Sequence, residues 1–195
     1  MKRYPHSLLI IYVVFWAALA VSPANRFDWF LENILVFISI PVLLWTYVKF
    51  RLSNRSYTLI FIFMVLHTIG SHYQYAGVPF GFWLQDLFEL SRNHYDRIVH
   101  FSYGLLLAYP VRELFLRLAT VRSSWSYWFP IELTLAFSAL FEIIEWLVTI
   151  IVSPEAGAAY LGIQGDEWDA QKDMALAGLG AVLSMCVTAL VQNDK

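Results

Sequence analysis

Six long runs of largely apolar residues constrain this chain more than any other feature of its sequence. A helix needs about 20 such residues to cross the hydrocarbon layer of a bilayer, and short polar segments separate the runs. Only helices or closed barrels satisfy the backbone in lipid, and the sequence lacks the alternating pattern of a barrel. It therefore predicts an all-α, polytopic membrane helix bundle with six transmembrane helices. The predicted spans are 7–24, 29–48, 57–76, 97–117, 127–151 and 172–191.

The composition agrees with a single integral membrane domain that covers residues 1–195. The chain is 59% hydrophobic with a mean hydropathy of +0.57, which is too apolar for an ordinary water-soluble domain. The net charge is only -2, and no cluster of Lys and Arg could follow a phosphate backbone, so we expect no nucleic-acid partner. Cys186 is the single cysteine, which excludes an intrachain disulfide.

The basic residues predict the orientation of the bundle. With both termini in the cytoplasm, nine basic residues lie inside and four lie outside, as the positive-inside rule requires. The inner ones are Lys2, Arg3, Lys49, Arg51, Arg55, Arg112, Arg117, Arg122 and Lys195. The outer ones are Arg26, Arg92, Arg97 and Lys172. The longest outer segments are then 71–96 and 152–171.

Two segments allow a further interpretation. Lys2 and Arg3, an apolar run and the small residues of "ALAVSPA" could form a cleaved signal peptide, but the run is long and five more spans follow.

In the outer segment, "VPFGFWLQDLFEL" at 78–90 combines aromatic residues and leucines with scattered acids. This pattern predicts a short helix at the membrane interface.

Ionisable residues lie near the outer ends of four predicted spans. They are Asp96 and His100, Glu142 and Glu145, Asp169 and Asp173, and His67 and His72. The 1.5 Å rise per residue places Glu142 about 15 Å below the outer surface, where an ionised carboxylate costs several kcal/mol unless it meets protein, water, a cation or a proton. Because groups from four helices reach a similar depth, we expect one polar pocket that opens to the outer face.

A pocket of His, Asp and Glu suits either a divalent metal, such as Zn²⁺, Mn²⁺ or Fe²⁺, or a proton relay. If a metal binds, the candidate ligands are His67, His100 and Asp169, and Glu142 or Glu145 could act as the base on a bound water. The candidate catalytic residues are Glu142, Glu145, Asp96, Arg97 and Asp173.

A purely structural interpretation of the same residues is also open. Asp96 and Arg97 could cap a helix start and anchor it at the interface, and His100 could be a packing residue. The "EIIEW" segment could pair with a basic residue of a neighbouring helix, for which Arg97 is available, and so hold the bundle together. If instead the acids and His100 share one pocket, we expect Arg97 to be the counter-ion of the acids.

Motifs of several enzyme classes are absent from the sequence. It contains no H-E-x-x-H, and "EIIEW" lacks the histidine of the E-x-x-H pairs in di-iron bundles. It also has no G-x-S-x-G elbow, P-loop or Rossmann glycine pattern. The segment "SRNHYDRIVH" has the wrong spacing for the signature of membrane lipid phosphatases.

Three blocks carry a family resemblance: "DRIVHFSYG" at 96–104, "EIIEW" at 142–146 and "WDAQKDMALAGLGA" at 168–181. Together with length and segment order, they resemble the YjdF-like family of bacterial inner-membrane proteins over nearly the whole chain. More distantly, they resemble the VanZ-like family, whose members include a teicoplanin-resistance accessory protein. The resemblance marks Asp96, Arg97, His100, Tyr103, Glu142, Asp173 and Gly180. Glu145 and Ala177 depart from the VanZ-like pattern, which usually has Gln and Asn there.

Neither family implies a reaction, so three functions remain open. The protein could be an enzyme acting on a lipid or envelope precursor, a proton- or cation-coupled transporter or binding protein, or a bundle with a purely structural polar network. The inner halves of the spans offer little that is ionisable besides Glu132, and the chain lacks two similar halves with broken helices. A one-sided pocket is therefore favoured over a relay, with membrane lipids as the expected partners.

Overall fold

The computed structural model describes residues 3–118, 124–162 and 164–193, and all regular secondary structure in these ranges is α-helical. This confirms the predicted all-α class. The helices are α1 (Tyr4–Leu19), α2 (Arg26–Lys49), α3 (Asn54–Tyr73), α4 (Pro79–Leu87), α5 (Tyr95–Leu118), α6 (Trp125–Ile151), α7 (Pro154–Leu161) and α8 (Asp169–Asn193).

Each predicted apolar run coincides with one of the long helices. Among the described residues, α2, α6 and α8 are long and apolar enough to cross a membrane, and α1 is a shorter apolar helix of 16 residues. Large apolar side chains such as Trp146 and Ile150 of α6 are more than half exposed, as expected for a surface covered by lipid. Helices α3 and α5 carry more polar residues and lie deeper in the bundle.

Helices α1 and α3 end earlier than predicted, and local capping groups fix both ends of α3. Helix α3 begins after Ser53, whose hydroxyl oxygen accepts a hydrogen bond from the Ser56 backbone N–H at 3.2 Å. It ends where Gln74 adopts a left-handed conformation with φ 56°. The predicted end of α1 at residue 24 was five residues too late, since the helix ends at Leu19.

Two short helices connect the long ones. Helix α4 lies within the predicted 78–90 segment, and its aromatic residues Phe80 and Trp83 are about half exposed. The fully buried Asn93 fixes α4 by donating hydrogen bonds to the carbonyls of Ala76 and Val78, both at 3.0 Å. Helix α7, which packs against α6, was not predicted from the sequence.

Helix α5 is the centre of the bundle. It packs most extensively against α8 and also contacts α3 and α6. The α5–α8 contact is close because a Cβ at Gly104 would overlap the Ala177 carbonyl oxygen, and a Cβ at Gly180 would overlap the Phe101 carbonyl oxygen. Small residues at helix contacts are the usual means of bringing membrane helices together.

Helices α1 and α2 complete the bundle on the side of α3. Tyr12 of α1 shares a hydrogen bond of 3.0 Å with Thr68 of α3. Trp16 donates one of 2.5 Å to the side-chain oxygen of the buried Asn33 in α2. These contacts make α1 an integral part of the helix bundle.

Candidate functional site

Two rows of side chains with four-residue spacing face each other where α5 and α8 meet. Residues four apart share one face of a helix. The α5 row is Asp96, His100, Gly104 and Ala108, and the α8 row is Asp169, Asp173, Ala177 and Ala181. In both rows the small residues allow close contact, and the polar residues lie in the turns before them. The contact between the helices therefore brings His100 to Asp173.

A small cavity lies at the end of the bundle where α5 and α8 begin, and we call it the acid cavity. Its volume is about 30 Å³, which suits a water molecule or a single ion. The lining residues are Asp96, Glu142, Glu145, Leu161, Asp169, Ala170 and Asp173. Four helices, α5 to α8, thus contribute to one polar space.

His100 lies between two carboxylates without a hydrogen bond to either. Its Nε2 atom is 3.6 Å from Oδ1 of Asp96 and 3.6 Å from Oε1 of Glu142. Both distances exceed the usual limit for a hydrogen bond. One ligand atom each from Asp96, His100 and Asp173 lies within 4.8 Å of the other two, a spacing from which three groups could hold a metal ion.

Two carboxylate oxygens of this site are buried without a hydrogen-bond partner among the described residues. They are Oδ1 of Asp173 and Oε1 of Glu142. Asp173 is 2% exposed, and the Glu142 side chain is 10% exposed. Buried polar atoms are nearly always hydrogen-bonded, so these two indicate a place where the protein receives a water, an ion or a ligand group.

Beside the acid cavity lies a second group of charges, the arginine cluster, formed by Arg92, Arg97, Asp166, Asp169 and Lys172. Arg92 donates to both oxygens of Asp169, at 2.5 and 3.1 Å. Arg97 donates to Asp166 and, at 3.2 Å, to Asp169. Lys172 completes the cluster with a bond of 2.7 Å to Asp166. Every carboxylate of the arginine cluster therefore has a basic partner.

Two groups in the loops of the arginine cluster have shifted pKa values. Hydrogen bonds from Lys172, and then from Arg97, hold the pKa of the Asp166 carboxyl well below its usual range. Partial burial, followed by the charges of Arg97 and Arg92, lowers the pKa of His94. Consistent with a neutral ring, Nδ1 of His94 lies 3.2 Å from the Arg97 guanidinium, from which it can accept a hydrogen bond.

The structure does not bring His67 into the candidate metal site. Its Nε2 lies 3.1 Å from the Glu32 backbone carbonyl, which can only accept, so Nε2 carries the proton. Its Nδ1 then accepts a hydrogen bond of 2.6 Å from the Tyr75 hydroxyl. Both ring nitrogens are engaged, which leaves none to bind a metal.

The predicted site residues thus separate into three groups. Asp96, His100, Glu142, Glu145 and Asp173 surround one space. Asp169 lines the same cavity, but its oxygens are bound by Arg92 and Arg97. Arg97, the expected counter-ion of the acids, pairs with Asp166 and Asp169, and it has no hydrogen bond to Glu142 or Glu145 among the described residues. The catalytic and metal-binding roles of all these residues remain predictions.

Three buried or charged residues near the cavity were not identified from the sequence as part of the site. Glu32 of α2 is 5% exposed, and its Oε2 has no hydrogen-bond partner among the described residues. An acid inside an apolar span is itself a signal of function, and Glu32 could have been identified by that rule. Arg92 and Asp166 lie in loops, where the sequence offers no signal that they form ion pairs.

The chain is similar over most of its length to a known family of membrane proteins. Residues 4–194 match a family described as "Predicted membrane protein (DUF2238)". The inner membrane protein YjdF of Escherichia coli (strain K12) is 36% identical over 184 residues, which cover 94% of this chain and 85% of YjdF. No solved structure shows a significant match to the chain. The chain therefore belongs to the DUF2238 family that includes YjdF-like proteins, and it is a multi-pass protein of the bacterial inner membrane.

Proposed function

We propose that the chain crosses the inner membrane six times, with both termini in the cytoplasm. The crossing helices are α1, α2, α3, α5, α6 and α8, and the nine-to-four distribution of basic residues supports this orientation. Helices α4 and α7 have 9 and 8 residues, too few to cross, and we place them at the outer surface. The acid cavity then opens to the outer side.

Reporter fusions test this topology. Fusions after Lys195 and in the 50–56 loop should report the cytoplasm, whereas fusions in 76–92 and 154–165 should report the outer side. A C-terminus on the outer side would contradict the proposal and would place the acid cavity at the cytoplasmic face.

We further propose that the acid cavity is the active site of an enzyme that acts on the headgroup of a lipid or envelope precursor. The observation that carries this proposal is the pair of buried, unpartnered oxygens on Glu142 and Asp173. Buried carboxylate oxygens are nearly always hydrogen-bonded, and these two lie together beside one cavity without a partner among the described residues. The exposed aromatic residues of α4 provide a surface on which a lipid could lie.

The size of the cavity indicates the type of reaction. A space of about 30 Å³ admits a water molecule but not a headgroup, so the bond to be cleaved would approach the mouth of the cavity. Glu142 and Glu145, one helical turn apart, can share a proton and act as base and acid on that water. Asp96, Asp173 and His100 would orient the reacting groups, and the arginine cluster would position Asp169. Hydrolysis is the reaction class that this arrangement supports best.

A proton- or cation-coupled transporter is less well supported. A relay needs ionisable groups through the whole bilayer. At the opposite end of the bundle, Glu113 is bound by Ser53, Ser56 and Arg117, and Arg112 stacks on Tyr127 at 4.2 Å. These groups bind their own neighbours, so they do not extend the acid cavity into a relay across the bilayer. The more distant resemblance to the VanZ-like family stays a prediction and adds no reaction.

Turnover by the reconstituted protein tests the enzyme proposal. The purified full chain is placed in vesicles of bacterial lipid extract supplemented with envelope precursors, and products are followed by mass spectrometry. Glu142→Gln should lower the rate about 10²–10⁴-fold, as loss of a general base usually does. Glu132→Gln is the matched control because Glu132 lies on the same helix, is exposed and does not line the cavity. Absence of turnover in the wild type, or equal rates in all three proteins, would contradict the proposal.

A further inference from the structure

We propose that Asp96, His100 and Asp173 bind one divalent metal ion at the acid cavity. The proposal deepens the proposed function and rests on it for the use of the ion, but not for its binding. Asp96 and His100 come from one helix and Asp173 from another, so the ion would join α5 to α8.

The distances among the three side chains suit a shared ion better than they suit hydrogen bonds. Two ligand atoms of a tetrahedral ion lie about 3.3–3.5 Å apart when each bond is about 2.0–2.1 Å. The distance from His100 Nε2 to Asp96 Oδ1 is 3.6 Å, and all three ligand atoms lie within 4.8 Å of one another. Small side-chain rotations are therefore enough to close the set on an ion.

A second observation independent of the spacing indicates a ligand. Asp173 is 2% exposed, it lines the cavity, and its Oδ1 has no hydrogen-bond partner in the described part of the chain. An acid that merely capped α8 would be exposed or would bond to backbone N–H groups. A buried carboxylate oxygen without a donor requires a positive or proton-bearing partner.

The charges around the cavity favour a cation as that partner. Among the described residues, no ion pair joins a lysine or arginine to Asp96, Glu142, Glu145 or Asp173. Several carboxylates held together repel one another unless protons or a cation compensate them. The nearby arginines make their direct contacts with carboxylates to Asp166 and Asp169, and thus leave Asp96 and Asp173 without a bonded basic partner among the described residues.

The donor set also defines the class of metal. Two carboxylates and one imidazole suit Zn²⁺, Mn²⁺ or Fe²⁺ better than Ca²⁺ or Mg²⁺, which prefer oxygen ligands alone. Such an ion would supply Lewis-acid activation of water in the proposed hydrolysis. Glu142, whose Oε1 lies 3.6 Å from His100 Nε2, would accept the proton of that water.

Two residues expected as ligands from the sequence are replaced in this proposal. Asp169 is engaged by two arginines, so Asp173, one turn further along α8, takes its place. His67 is engaged through both ring nitrogens, so His100 is the imidazole ligand.

The test is metal binding by the full chain purified in detergent. Metal content is measured by mass spectrometry, and the protein is then stripped with a chelator and titrated with Zn²⁺ or Mn²⁺ while Tm is recorded. The wild type should hold about one ion per chain. Its Tm should rise by about 5–10 °C when the metal concentration is 100 times Kd.

Two variants and one control make the test specific. Asp173→Asn and His100→Gln should each weaken binding at least about tenfold, since each loses one of three ligands. Two variants are used because one of them could fail to fold. Glu132→Gln should bind as the wild type does. A wild type without a metal-dependent shift, or equal binding by wild type and both ligand variants, would overturn the proposal.

The outcomes also distinguish this proposal from the proposed function. A specific ion without turnover would retain the metal site and reject the enzyme. Turnover that is unaffected by chelation, in a protein that binds no metal, would retain the enzyme and reject the metal site.

Discussion

The arginine cluster and the acid cavity lie side by side and share Asp169. They differ in whether their buried carboxylates have bonded partners. In the arginine cluster, Asp166 and Asp169 have basic partners at hydrogen-bonding distance. In the acid cavity, Glu142 and Asp173 each have an oxygen without any partner among the described residues. The carboxylates of these neighbouring sites therefore differ in whether their oxygens have hydrogen-bond partners.

The free-energy cost of burying a charge gives this difference a functional meaning. A buried charge is tolerated when it is paired and hydrogen-bonded, and the carboxylates of the arginine cluster meet that condition through basic residues of the chain itself. The acid cavity meets it only with a proton, a water or a cation from outside the chain. We therefore interpret the first as structural support and the second as the functional site, and the following predictions test this contrast.

The largest effect is expected in the arginine cluster. Replacing Arg92 with Gln removes two charge-assisted hydrogen bonds to the buried Asp169 and leaves Arg97 as its basic partner, so we expect a loss of about 3 kcal/mol, the lower end of the range for breaking a buried pair from one side. The free energy of unfolding of the detergent-solubilised variant measures this loss. Lys172→Gln is the control, since Lys172 is 49% exposed and its loss should have only a small effect. Similar stabilities of the two variants would contradict a structural role for Arg92.

A double-mutant cycle should show a moderate effect across the acid cavity. If His100 and Asp173 share one site, the combination of His100→Ala with Asp173→Asn should depart from additivity by about 0.5–3 kcal/mol. Thermal or denaturant unfolding of the four proteins gives the coupling free energy. Glu132→Gln combined with Asp173→Asn should be additive, and additive energies in the first cycle would remove the basis for a shared site.

A smaller effect is expected for Glu142→Gln in metal-free protein at neutral pH. Glutamine keeps the size and hydrogen bonding of the side chain and removes one of several like charges, so stability should change by no more than about 1 kcal/mol. Measurements near neutral pH and below the reference carboxyl pKa of about 4 would show whether charge matters. A large loss at neutral pH would mean that Glu142 belongs to an ion pair, as Asp169 does.

The smallest effect concerns pH and His94. The pKa of His94 is lowered in the folded protein, so the unfolded chain binds a proton first as pH falls below about 6.5, and stability declines. His94→Gln should make the decline between about pH 7 and 5 slightly shallower. Parallel curves of Tm against pH for the two proteins would show that His94 does not contribute.

Much of the fold could be predicted because each long helix carries its own signal in the sequence. The apolar runs identified every long helix, and the aromatic 78–90 segment identified α4. Helix α7 was missed because eight residues in a loop carry no length or periodicity signal. Helix ends were misplaced where caps such as Ser53 and Gln74, and not hydrophobicity, determine them.

The site could be predicted less completely because it depends on which helix faces meet. The convergence of Asp96, His100, Glu142 and Asp173 was expected because all four lie in the outer halves of their predicted spans or at the outer ends. The partner of Arg97 did not, since Asp166 reaches it from a loop 69 residues away in sequence. Nor did the sequence show that His67 is bound by Tyr75, because that bond depends on the turn after α3.

The contact at Gly104 and Gly180 determines which parts of the site are able to move. Where two backbones touch, neither helix can slide or rotate without overlap, so α5 and α8 form one rigid body. Asp96, His100 and Asp173 are fixed to this body, whereas Glu142 belongs to α6 and Leu161 to α7. Opening and closing of the site would therefore be a displacement of α6 and α7 relative to the stationary backbone that carries the three ligands.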